Sequence, residues 1–240
     1  MVDLLMDQEY QRWLFTFSAP TAALNLEYGA SYFAPNFFPE DSSIDLKESW
    51  DITSKQDLIA TVIRMVEEGH ADELAYPYFL WHQILPDSWQ AFVNAQEEPR
   101  QILLEFVAET AGICGSGGIQ AWDLSRMGYL CRIGVLNGWF TERESLWFQS
   151  RIANRARHYY DSWQQYTNGF LTGRAFWLSL NEERDRYKRY ALHNKGKLDT
   201  NVSVIRNLFT RPDSPYLSVA WDIEIIDIDK PESLSEVDWS

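Results

Sequence analysis

The sequence predicts a mainly α protein, a single compact multi-helix bundle with short loops and an irregular or short-strand arm at its C-terminal end. Three observations predict it. Apolar residues recur at three- and four-residue intervals along most of the chain, while strand-like alternation is scarce. Pro, Gly and Asn interrupt the pattern at helix-sized intervals, with no internal repeat and no low-complexity tract. Finally, 240 residues that are 45% hydrophobic, with 11 Trp, 12 Tyr and 13 Phe, supply the core of one domain, or of two small ones, and exclude a disordered chain.

The elements follow in order. The segment to about Phe17 is helical by composition and is broken at Ala19-Pro20 and again over Ala34-Pro35-Asn36-Phe37-Phe38-Pro39-Glu40. Ser54 then opens a helix as a capping box with Asp57, and Leu58, Ile59, Val62, Ile63 and Val66 form its apolar stripe. Gly69 is placed to end it as a left-handed cap. Pro77 and Pro86 punctuate the next stretch, with a short helix starting near Asp87. Pro99 suits the first turn of a helix whose face is Ile102, Leu103, Phe106, Val107 and Thr110, ended by Gly112 and the loop Gly115-Ser116-Gly117-Gly118. Trp122, Met127, Leu130, Cys131 and Val135 mark another, stopped by Asn137-Gly138. From Thr141, Glu142 and Glu144 lie at the positive end of a helix dipole, and Arg151, Arg155, Arg157 and His158 at the negative end. Ser162 caps a seam of Trp163, Tyr166, Phe170, Gly173 and Trp177. A charged helix from Asn181 is ended by Asn194-Lys195-Gly196. Pro212 and Pro215 flank a turn, and the β-branched Ile223, Ile225, Ile226 and Ile228 leave strand and extended arm both open.

Charge and composition exclude several functions. The net charge of -14 repels phosphate backbones, so no nucleic acid partner is expected. Residues 1–110 hold 19 acidic and 5 basic side chains, 111–211 hold 8 and 15, and 212–240 hold 8 and 1. The basic middle either takes an anionic partner or is neutralised by its acidic flanks. Mean hydropathy is -0.35 and no apolar run approaches the roughly 18 residues of a membrane span, so no membrane partner is expected. The acidic start, Met1 to Glu9, lacks the basic n-region of a secretory signal, and two cysteines make no disulfide framework, so a cytoplasmic setting is expected.

Two constellations carry candidate chemistry. In Ala121-Trp122-Asp123-Leu124-Ser125-Arg126, Asp123 and Arg126 stand three apart on one helix face. They serve either to fix a helix orientation or, in a cleft, to offer a guanidinium fork to a carboxylate or phosphate. In the stretch from Ser162-Trp163 to Gly173-Arg174-Ala175-Phe176-Trp177, Gly169 and Gly173 let another helix approach closely. Arg174 there either stacks and pairs within the fold or joins Arg126 in one anion site. The ligand-binding candidates are therefore Trp122, Asp123, Arg126, Trp163, Arg174 and Trp177.

Other motifs are weak. The glycine loop follows a helix and lacks a Lys-Ser/Thr, so it reads as a flexible connector and not as a phosphate cradle. Cys114 reads as a plain thiol. His70, His82, His158 and His193 never stand at two-ligand spacing and no Cys-x-x-Cys occurs, so no metal and no cofactor is expected and no catalytic residue is assigned. Glu67-Glu68, Asp72-Glu73 and Glu97-Glu98 read as solvated surface.

Trp50-Asp51-Ile52 with the helix to Gly69-His70, the Trp122-Asp123-x-x-Arg126 segment, the run from Ser162-Trp163 to Trp177, and Ser214-Pro215-Tyr216 with Trp221 resemble the bacterial YbeU/YbeR-type domain of unknown function. The departure is Tyr216, where that family tends to have Trp. The resemblance covers about 50–221 and implies a bacterial, cytoplasmic, helical protein without an established activity. It divides the chain into an acidic helical cap at 1–49, the domain at 50–221 and an acidic tail at 222–240.

Two functional readings result. The first is a non-enzymatic protein-interaction module whose acidic surface or aromatic cleft engages a protein partner, one version being an inhibitor or immunity role against a basic toxin. The second is a small-molecule site, or an enzyme, in which Asp123, Arg126 and Arg174 meet an anionic ligand under Trp122, Trp163 and Trp177.

Overall fold

In the computed structural model, which describes residues 7–183, 185–193 and 198–239, the chain is mainly helical and no strand occurs among the described residues. The helices are α1 (Gln8–Thr16), α2 (Ala19–Asn25), α3 (Lys47–Trp50), α4 (Lys55–Glu67), α5 (Asp72–Gln83), α6 (Pro86–Asn94), α7 (Glu98–Cys114), α8 (Gln120–Leu136), α9 (Glu142–Tyr159), α10 (Trp163–Ser179), α11 (Asp185–Leu192) and α12 (Leu198–Phe209). None of the described helices is long and apolar enough to cross a membrane.

Local signals place most helix starts. Asp57 N–H donates to Ser54 Oγ at 3.2 Å, and Asp57 reaches back to the Thr53 amide at 3.0 Å, so the capping box forms one residue wider than expected. Thr141 and Glu144 form the reciprocal version, at 2.8 and 3.2 Å, at the start of α9. Ser162 Oγ accepts from Gln165 N at 3.2 Å as the cap of α10. Gly138 ends α8 in the left-handed conformation (φ 70°), but Gly69 lies outside the left-handed region, and a turn from Gly69 O to Asp72 N closes there.

Three helices depart from expectation. Pro20 starts α2 where the sequence predicts a break, because a proline in a first turn lacks only an N–H that no helical carbonyl needs. Pro77 stands inside α5; the acceptor it deprives is the carbonyl of Glu73, an exposed residue whose oxygen water can serve. The third, α12, has no counterpart in the sequence reading. The Ile223 to Ile228 region forms an irregular arm. The stop signal Asn194-Lys195-Gly196 lies outside the described residues.

The chain forms two compact units, one from 1–67, 124–157 and 203–240, the other from 68–123 and 158–202. In the first unit, Trp13 is fully buried and donates from Nε1 to Trp221 O at 3.1 Å. Phe140 and Phe148 stack at 5.2 Å. Arg132, on α8, is 0% exposed. Its guanidinium donates to Ala34 O (2.6 and 3.0 Å), Ser31 O (2.6 Å) and Ser18 Oγ (2.8 Å), between the rings of Phe15 and Phe37. A buried cation is tolerable when its donors are met, and here carbonyls of the 31–34 loop meet them. Burial still pulls the Arg132 pKa down to about 9.

In the second unit, α7 is the central helix, packed by α5, α6, α10 and α11. Its buried Ile102, Leu103, Leu104, Phe106 and Val107 meet Leu74 and Tyr78 of α5, Trp89 and Val93 of α6, and Phe176 of α10 in one cluster. The glycine loop is a tight turn with Gly117 and Gly118 buried, and not a flexible connector. Gly118 has φ +51°, a Cβ there would fall 2.4 Å from the Tyr78 ring, and Tyr160 Oη donates to Gly118 O at 2.9 Å.

The basic middle of the chain meets acids of its own unit. Arg155 pairs with Glu67 and Arg151 with Asp227 in the first unit; Arg189 pairs with Glu105, and His193 lies 3.2 Å from Glu109, in the second. These contacts follow the internal-neutralisation reading of the charge blocks.

Candidate functional site

Gly173 determines how α10 lies against the first turn of α8. A Cβ added to it would sit 2.4 Å from Trp122 Cβ and 3.0 Å from Ile119 O, and one on Gly169 would sit 2.6 Å from Tyr160 Oη. Carbon atoms in contact stand about 3.5–4.0 Å apart, so only glycine allows this approach, as the small-residue spacing predicts. The approach brings together the Trp122 ring, the Trp177 ring at 5.5 Å and the Phe170 ring at 5.1 Å. Trp163 lies at the other end of α10, fourteen residues or about 21 Å along the helix. It packs edge-on to Tyr166 at 6.3 Å.

Asp123 follows Trp122 in the same first turn and is 1% exposed. Its carboxylate accepts from the Ala71 amide at 2.9 Å and faces His70 Nδ1 at 3.1 Å. It thus secures the turn that leads into α5, where backbone amides have no helical acceptor. It also orients the imidazole: a carboxylate at Nδ1 selects the tautomer protonated there, leaving Nε2 as the basic nitrogen. Such a pair is the orienting half of an acid–base device, and a nucleophile would complete it. Cys114 cannot serve, because it is fully buried, its Sγ donates to Thr172 Oγ1 at 3.4 Å, and burial pushes the thiol up to about 11. Among the described residues no three His, Cys, Asp or Glu side chains are grouped to hold a metal ion.

The two arginines belong to different units. Arg126, in the first, holds its guanidinium 4.3 Å over the Trp50 ring. Arg174, in the second, is half-buried with Nη1 3.5 Å from Asn201 Oδ1, and desolvation lowers its pKa. His70 was missed by sequence reasoning. It is 53 residues from Asp123, and no spacing rule links such a pair.

Two features of the first unit lay equally outside the sequence signals. A cavity of about 340 Å³ opens between Gln8, Glu9, Arg12 and Trp13 of α1 and Ser218, Val219, Ala220 and Ile223. A smaller one of about 210 Å³ is lined by Pro35, Asn36, Glu40, Val135, Leu136 and Glu142. None of the six candidate residues lines either.

The surface of α5 and α6 has a different character. Tyr76 is 61% exposed, Phe79 57% and Leu85 74%. Tyr76 and Phe79 are three apart on one face of α5. In the same stretch of chain, residues 68–99 carry Glu68, Asp72, Glu73, Asp87, Glu97 and Glu98, all exposed, and no Lys or Arg. Large apolar side chains within a field of one sign form a surface that a partner of opposite sign can cover.

Comparison with known proteins extends the sequence resemblance. The chain is 38% identical to the "Uncharacterized protein YbeU" of Escherichia coli (strain K12) over 232 residues, 97% of this chain and 99% of that one. It is 39% identical to the "Uncharacterized protein YbeR" of the same strain over 216 residues, 90% of this chain and 92% of that one. The likeness therefore reaches well beyond 50–221. No solved structure matches. A family model described as "Protein of unknown function (DUF1266)" matches residues 45–221, and the chain belongs to that family.

Proposed function

We propose that this protein is a non-enzymatic interaction module of the cytoplasm that binds a basic protein partner through the α5–α6 face. The observation that carries the reading is the setting of Tyr76, Phe79 and Leu85, each more than half exposed, in a stretch of chain from 68 to 99 with six exposed carboxylates and no Lys or Arg. The aromatic side chains supply contact area and the carboxylates speed and orient encounter with an oppositely charged surface. An inhibitor or immunity-like role against a basic toxin is the version that uses both. The buried, unbridged Cys114 and Cys131 fit a reducing compartment.

The test is site-specific photo-crosslinking in the native host, with the reactive residue at position 79 and, as control, at exposed Glu40. A basic protein should be captured from position 79 and lost in the Asp72→Lys, Glu73→Lys double variant. Each of Tyr76→Ala and Phe79→Ala should weaken its binding by about 2 kcal/mol. Equal capture from both positions would refute the reading.

A second reading, an anion-binding or catalytic site, draws on the Asp123–His70 pair and on the half-buried Arg174, which shares a helix face with Trp177. Under it, anionic metabolites raise the melting temperature of the native chain and not of Arg174→Met.

A further inference from the structure

Residues 222–239 cross the first unit with no regular structure beyond a single 3-10 turn at Glu232–Leu234. Side chains hold the main chain at the start of this strap. Arg157 Nη1 donates to the carbonyls of Trp221 and Ile223 at 3.3 and 3.2 Å, and Tyr10 Oη to that of Ile226 at 3.0 Å. Further along, Ser233 Oγ donates to Glu144 at 2.6 Å and Trp239 Nε1 to Glu67 at 2.8 Å. Ile228, Leu234 and Trp239 are buried as plugs, at 3%, 1% and 7% exposure. The strap holds seven carboxylates and one lysine, and one of those carboxylates, Asp227, meets Arg151 of α9 at 3.5 Å. An extended segment held by side chains, with its apolar residues in sockets, has the geometry of a bound peptide.

The fit is incomplete at one place. Trp147 Nε1, Arg151 Nε and Asn154 Oδ1 stand on one face of α9, four and three residues apart, and these buried atoms have no hydrogen-bond partner. Trp147 itself is 1% exposed. The strap passes this face at Asp227, 3.5 Å from Arg151 Nη1, and at Lys230, 5.7 Å over the Trp147 ring. Two of the three unmet atoms are donors, so the strap supplies no acceptor where the helix offers them. Leaving buried donors unmet is costly, and an occupant that placed a carboxylate there would gain what the strap forgoes.

We propose that the face of α9 covered by the strap is a binding site for an extended acidic segment of a partner protein, and that residues 222–239 are its internal, displaceable occupant. Because the strap is tethered, it competes at an effective concentration of about a millimolar, so only a better-fitting segment displaces it. The site is separate from the α5–α6 face, and neither reading depends on the other.

The test uses the full chain and a fluorescent synthetic peptide with the sequence of residues 222–239. In the native chain, the hydrogen-bonded amides of the strap, those of Leu234, Ser235 and Val237, should exchange hydrogen about a hundredfold faster than those of α9, because the strap opens without the unit unfolding. The peptide should bind the native chain weakly and the Ile228→Asp, Leu234→Asp variant about a hundredfold more tightly, since the internal competitor is disabled. Adding Arg157→Glu should remove that binding. Strap amides protected as long as those of α9, or equal peptide affinity for the two chains, would overturn the proposal. If the variant does not fold, the exchange measurement on the native chain decides alone. A dimer in light scattering that is lost in Trp239→Ala would give this face of α9 to the tail of a second copy and overturn the partner-protein assignment.

Discussion

Replacing Gly173 and Gly112 by alanine, the same change on two helices of the second unit, should move stability in opposite directions. At Gly173 the new methyl carbon would lie 2.4 Å from Trp122 Cβ and 3.0 Å from Ile119 O. Carbon contacts settle at about 3.5 Å, so α10 would have to retreat by about 1 Å. Neither neighbour is the free end of a flexible side chain, so the strain falls on the backbone and costs about 3 kcal/mol, the upper part of the overpacking range. Alanine returns about 1 kcal/mol of helix propensity, leaving a net loss of about 2 kcal/mol. For a chain of this size that lowers the melting temperature by about 4–8 °C. At Gly112, exposed in α7, no atom lies within 4 Å of the added carbon. There the propensity gain stands alone and raises stability by about 0.5–1 kcal/mol. Thermal unfolding followed by circular dichroism measures both. Near-ultraviolet dichroism should change only for Gly173→Ala, because only it displaces the Trp122 and Trp177 rings. A Gly173→Ala chain as stable as the native one would refute the close approach of α10 to Trp122 and Ile119.

Further outcomes are expected from the buried polar groups. Asp123→Ala leaves the buried Ala71 N–H and His70 Nδ1 without their shared partner and should cost about 2 kcal/mol in urea unfolding; an unchanged midpoint would argue against the turn-securing role. Burial alone would raise the Glu144 pKa, but hydrogen bonds from Lys55, Ser233 and the Thr141 amide overcome it and hold the carboxyl below its ordinary value of 4.5. A carboxyl depressed in the folded state stabilises above its unfolded pKa, and that contribution is lost as pH falls through the lower folded value. Glu144→Gln should therefore be less stable at pH 7 and lose less stability on acidification, measured by urea midpoints across that window. Arg132→Met leaves Ser31 O, Ala34 O and Ser18 Oγ without their donor and should cost at least about 3 kcal/mol by chemical denaturation. Cys114 and Cys131 are fully buried with raised pKa values, so an aromatic disulfide reagent at pH 8 should titrate neither thiol until the chain is unfolded.

Much of the helical order was legible because its causes are local. The Thr141–Glu144 box, the Ser162 cap, the left-handed Gly138 and the apolar faces of α4, α7 and α8 all arise from residues within a turn or two of one another. Where local rules failed, context supplied the missing term. Pro77 is tolerated inside α5 because the acceptor it deprives belongs to an exposed residue, and Gly118 is fixed in a tight turn by the Tyr78 ring forty residues away. The spacing of Gly169 and Gly173 announced a close approach without naming what approaches.

Sequence alone determined a mainly helical chain of strongly acidic balance, the places where most of its helices begin, and its family resemblance, since all of these follow from short-range pattern and composition. Tertiary structure alone decided that Asp123 holds His70 and the Ala71 amide, that Arg132 is buried among carbonyls, and that the acidic tail lies along α9. Each of these contacts joins residues roughly fifty to a hundred positions apart. Their partners are selected by burial and geometry after the helices assemble, and those are quantities that no local spacing encodes.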